Sequence, residues 1–168
     1  MALFSMKLEN LEQLFVKELR DLYDAETQIT DALPKMIDHT HNPQLKQALQ
    51  EHLSITKHQI SRLDRIFQML GEKPTGETCK GMKGVIKEGE EIISAGGDPS
   101  TVDAGIISAA QRVEHYEMAG YGTVRTYAKL LGQPEMAKLL QQTLDEEAQA
   151  DSKLTEIANS VNVEAKAA

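Results

Sequence analysis

At 168 residues the chain is long enough for one domain that buries roughly two thirds of its unfolded surface without help from disulfides. Aromatic residues make up only 4% and tryptophan is absent, a composition that gives strands little to work with and favours helices. The net charge of −8 argues against nonspecific attraction to nucleic acid or anionic lipid and suits a protein that gathers cations.

Cys79 is the sole cysteine, so no intrachain disulfide can form and a reducing, cytoplasmic setting is expected. It stands in no cluster of ligands and reads as incidental. The stretch Met1 to Lys7 lacks the basic region and apolar run of a secretory signal. No apolar stretch approaches the roughly 20 residues of a membrane span, so no membrane partner is expected.

The first helix is predicted over about residues 10–39. Asn10 can cap it while Gln13 reaches back, and Leu11, Phe15, Leu22, Ile29, Leu33 and Met36 recur at helical spacing. Pro34 predicts a bend rather than a stop, because the apolar period continues beyond it. Glu18 and Glu26 interrupt the inward stripe. Asn42-Pro43 opens a second helix over about 43–70, ended by Gly71, with His52, Thr56 and Gln59 set among its apolar positions. Its stripe His58, Arg62 and Arg65 reads as a solvated face. Residues 71–98 are rich in glycine and too long for a hairpin loop. They read as a crossover carrying a short helix, about 78–94, placed over one end of a bundle or against a partner subunit.

The third helix is predicted over about 100–131 and the fourth over about 134–160, with a polar tail from Asn162 that frays. Two hairpins joined by a long crossover predict an all-α fold, a ferritin-like antiparallel four-helix bundle with a fifth short helix, as a single domain over 1–168. In the third helix Glu114 and Glu117 lie one turn apart on the face that carries Ala104, Ile107, Ala110, Val124 and Ala128, with Tyr121 on the next turn. Two acids on a core-facing stripe need a reason, since an unpaired buried charge costs about 3–5 kcal/mol.

Counting outward from the two hairpin turns sets Glu26 level with Thr56, one turn from His52. The same count sets Glu114 level with Asp151 and Glu117 with Glu147. Glu26, His52, Glu114, Glu117, Glu147 and Asp151 would then converge at mid-bundle, an oxygen-rich set with one imidazole that suits iron or manganese. Taken singly, each acid reads equally well as a solvated or surface-paired residue, and Asp145, Glu146 and Glu147 form a local acidic run. Tyr121 and Tyr23 read first as core packing. His39, His41, His58 and His115 read as surface residues.

The stretches Leu22 to Glu26, Glu51 to Thr56, Val113 to Gly122 and Thr143 to Glu147 with Asp151 resemble the bacterial YciF/YciE family of stress-associated, ferritin-like proteins. The resemblance runs from about Asn10 to Ala158 and implies a rubrerythrin-like metal site and a homodimer. Two departures stand out. Ile55 occupies a position where the family commonly has glutamate, and Ala150 follows Glu147 where rubrerythrin-like proteins carry a Glu-x-x-His pair. They point to one metal, or an asymmetric pair of iron or manganese ions held mainly by the third and fourth helices, with partial occupancy. The expectation is a protein with ferroxidase-like or peroxide-consuming chemistry. The alternative is a non-enzymatic dimeric helical bundle that keeps its acids as a vestigial polar core.

Overall fold

A computed structural model describes residues 8–168, so the N-terminal stretch without signal character lies outside the described residues. Five helices follow in order: α1 (Leu11–His39), α2 (Pro43–Leu70), α3 (Lys80–Ala95), α4 (Pro99–Leu130) and α5 (Pro134–Ala167). The chain is all-α, with no strand among the described residues.

Local chemistry sets each boundary. The Asn10 side chain accepts from the Gln13 backbone N–H at 2.8 Å, as expected, but Gln13 answers to Glu9 N–H at 2.9 Å rather than to the cap residue. α1 runs through Pro34 without stopping. Asn42 caps α2 ahead of Pro43, and Gly71 ends it in the left-handed region at φ 67°, where a side chain would be strained. α3 begins two residues later than expected because Cys79 serves as its cap, its sulfur 3.4 Å from Met82 N–H. α5 runs to Ala167 instead of fraying from Asn162, since Val161 is still buried and the Glu, Ala and Lys residues beyond it are strong helix formers.

α1 packs on α2 and α4, and α5 on α2 and α4, giving two antiparallel hairpins side by side. α3 lies along the α1–α4 face rather than over an end of the bundle. Met82 and Ile93 bury its inner side. α1 and α4 come close where Gly120 faces Leu22; a Cβ on that glycine would sit 2.7 Å from Leu22 Cδ2.

The apolar core is divided in two. One half joins Ile29, Leu33, Leu45, Leu49, Ile106, Ile107, Leu154 and Ile157. The other joins Phe15, Leu19, Leu63, Phe67, Val124, Met136 and Leu140. Between them every helix of the four-helix bundle contributes buried polar side chains: Glu26, His52, Thr56, Gln59, Glu114, Glu117, Thr143 and Glu147. One residue of the supposed solvated face belongs beside this layer. Arg62 is turned inward, with its side chain 15% exposed, and clamps Glu146 through two hydrogen bonds of 2.6 Å. His58 and Arg65 are exposed as expected.

Candidate metal centre

Helical periodicity fixes which side chains enter the mid-bundle layer. Glu114 and Glu117 sit one turn apart on α4 in the stripe that buries Ala110, Val113, Tyr121 and Val124. Glu26 falls between Leu22 and Ile29 on α1, His52 between Leu49 and Thr56 on α2, and Glu147 one turn beyond Thr143 on α5. All five are nearly or wholly enclosed, with His52 the most exposed at 7%.

His52, Glu114, Glu117 and Glu147 each offer one ligand atom within 4.8 Å of all the others. Glu26 stands beside this group. Its carboxylate accepts a hydrogen bond from the Tyr121 hydroxyl, and it adjoins Glu117 and Glu147. Asp151 stands further out, accepting from Gln111 Nε2 at 3.1 Å and facing the exposed His115 at 3.4 Å. Tyr23 packs edge-on against the buried Phe67, at the edge of the second half-core.

Several donor atoms of the layer find no hydrogen-bond partner among the described residues: both ring nitrogens of His52, both oxygens of Glu117, and one oxygen each of Glu26, Glu114 and Glu147. His52 Nε2 lies 3.6 Å from Glu114, too far for a hydrogen bond. As carboxylates, Glu117 and Glu26 can only accept, and so can Glu114 and Glu147. A hydrogen bond within either pair requires that one member keep a proton.

Burial pushes the carboxyl groups of Glu26, Glu114 and Glu117 well above the usual range, and their mutual repulsion adds to it. Glu147 is pushed up less, to about 7, because Glu114, Gln59 and Arg62 favour its charged form. The Gln59 amide donates directly to Glu147. Burial also lowers His52 to about 4, which keeps its imidazole neutral and able to ligate. Desolvation raises the Tyr121 phenol well above its ordinary value, so it remains a donor to Glu26.

The orphaned atoms fit a cation. Three carboxylates and one neutral imidazole within reach of a single point form a donor set for a hard or borderline divalent ion, and such an ion would satisfy the atoms that nothing else does. The set brings together four of the six residues singled out in the sequence, keeps Glu26 alongside, and leaves Asp151 at the rim. Sequence reading did not assign roles to Gln59 or to the Arg62–Glu146 clamp. A glutamine at a core-facing position was a usable signal for the first. Arg62 carried none, because an arginine three residues on looks like solvated surface until its partner is known.

Residues 10–168 match the model of a family described as a domain of unknown function, DUF892. The chain is 42% identical over 163 residues to protein YciF of Escherichia coli strain K12, covering 96% of this chain and 98% of that protein. Among solved structures, that of the E. coli stress protein YciF superposes with a TM-score of 0.89 at 41% identity, covering 92% of this chain and 98% of the other. YcfI from Rhodopseudomonas palustris superposes with a TM-score of 0.87 at 45% identity, covering 90% and 97%. A Xanthomonas campestris protein at 21% identity and a TM-score of 0.73, covering 91% and 93%, shares the fold.

Proposed function

The chain belongs to the DUF892 family, and from that premise we propose that it is a stress-associated ferritin-like protein whose mid-bundle cluster binds one or two iron or manganese ions. The carrying observation is the buried quartet His52, Glu114, Glu117 and Glu147, with its unpartnered donor atoms. The E. coli relative described as a stress protein supports the association with stress.

On this reading the quartet holds the first ion. Glu26, together with Glu117 and Glu147, serves a second, weaker one, and Asp151 supplies charge at the rim. Iron or manganese held there supplies redox chemistry toward oxygen or peroxide, ferroxidase-like or peroxide-consuming. The chain's own residues prepare the site. Gln59 and Arg62 orient Glu147 and its neighbour Glu146, Tyr121 fixes Glu26, and burial keeps His52 free of a proton. Because the glutamates hold protons when no ion is present, loading releases protons and affinity rises with pH.

The second reading is a dimeric interaction protein with a vestigial polar core. It is favoured by α2, whose buried polar side chains His52, Thr56 and Gln59 include no carboxylate, with Ile55 beside them. The double substitution Glu114→Ala with Glu117→Ala distinguishes the two. On the metal reading it removes ion uptake from a protein that otherwise takes up iron or manganese. On the vestigial reading the parent protein takes up neither ion, and the double variant is as stable as the parent or more so. Sedimentation analysis tests the homodimer.

A further inference from the structure

Between α2 and α5, at the level of the cluster, a cavity of about 200 Å³ opens beside the small Ala48 and Ala150. Its walls are aliphatic at Leu49, Ile55, Ala150 and Leu154 and polar at Glu146, which Arg62 clamps, and at Gln149, and its floor is His52 and Glu114. Across its mouth the Lys153 ammonium on α5 donates to Glu51 on α2, both side chains about half exposed. The cavity therefore runs from a salt-bridged surface opening to two buried residues whose donor atoms have no partner among the described residues.

Its size and lining narrow the occupant. At about 200 Å³ the cavity is larger than a single water or a diatomic gas needs, and its lining surface is mainly apolar. The layer is also lopsided: α1, α4 and α5 each bring a carboxylate and α2 brings none. We propose that the cavity binds a small monocarboxylate with a short alkyl chain. Its carboxylate is directed to the floor at His52 and Glu114, on the side where α2 leaves the cluster open. Its chain lies against Leu49, Ile55 and Leu154. This rests on the metal reading, because a floor of glutamates repels an anion until a cation offsets it, and hard cations favour oxygen donors.

The test uses the full chain loaded with Mn(II), whose uptake is first measured by calorimetry. Acetate, propionate, butyrate and octanoate are then titrated by calorimetry and by the Mn(II) paramagnetic resonance line shape. Affinity is expected to rise about three- to fourfold per methylene from acetate to butyrate and to fall for octanoate, which overfills the cavity. Ala150→Phe, which fills it, is expected to weaken butyrate by at least about tenfold while leaving Mn(II) uptake unchanged. Ile55→Ala, which enlarges it, shifts the preferred chain to a longer one and keeps the proposal testable should the larger side chain prevent folding. Mn(II) bound at full stoichiometry with no response to any carboxylate overturns the proposal, as does equal binding of acetate and butyrate that neither variant alters. Failure to take up Mn(II) is a separate result: it overturns the metal reading, and the cavity proposal with it.

Discussion

Glu117 is wholly enclosed and neither of its oxygens accepts a hydrogen bond from a described residue. A buried polar group left in that state costs about 1–3 kcal/mol. In the metal-free protein Glu117→Met, which keeps the volume and removes the unpartnered oxygens, should therefore raise the stability read from urea unfolding by about 1–2 kcal/mol. The same variant should lose most of the thermal shift that iron or manganese gives the parent. Stabilisation of the apo form without loss of the metal response would show that Glu117 is buried for a reason other than ligation.

Protonation of the same residues sets a pH dependence whose sign follows from the shifts. Burial raises the folded-state values of Glu26, Glu114, Glu117 and Glu147, the last to about 7, and lowers His52 to about 4. Above pH ~6.5 the unfolded chain has released its glutamate protons and its histidine is largely neutral, while the folded acids still hold protons. Stability then falls as pH rises. In the presence of chelator the loss between pH ~6.5 and ~8 should be about 2 kcal/mol for each acid that stays protonated across that interval. Below pH ~6.5 His52 opposes the acids, because the unfolded chain takes up a proton that the folded state refuses. Urea unfolding at the two higher pH values checks the sign. A metal-free protein that gains stability toward pH 8 would contradict protonated glutamates in the core.

At the scale of elements, the turn between α1 and α2 is tied to α4 by Asp103. Its carboxylate is 2% exposed and accepts from His41 N–H at 2.9 Å and from Asn42 N–H at 2.6 Å. Asp103→Ala strands both donors and should cost about 2–4 kcal/mol, measured by chemical unfolding. A loss below about 0.5 kcal/mol would show that water replaces the carboxylate without penalty. Periodicity and caps made the four long helices legible, because apolar residues at helical spacing, Asn42-Pro43 and Gly71 act locally. The mid-bundle level of Glu26, His52, Glu114, Glu117 and Glu147 was legible too, because short hairpin turns fix the register of paired helices. The Asp103 tie, the Arg62–Glu146 clamp and the place of α3 were not. Each depends on contacts between residues distant in the chain, and α3 carries apolar positions that fit an end of the bundle as well as its side. Asp151 had the right spacing on α5, but its partly exposed carboxylate is taken up by Gln111 on α4 and faces the exposed His115.

For the molecule as a whole, two apolar half-cores are joined through one polar layer, so whatever satisfies that layer stabilises both halves together. An ion that binds only the folded chain adds about 2.7 kcal/mol at a hundredfold excess over its dissociation constant. The most direct test is the metal content per chain of protein purified without chelator, followed by anaerobic iron and manganese titration of the stripped protein. Between one and two ions per chain, lost on Glu114→Ala with Glu117→Ala, is the expected result. A parent protein that arrives metal-free and takes up neither ion would contradict the metal centre and leave a helical bundle with a buried cluster of protonated acids.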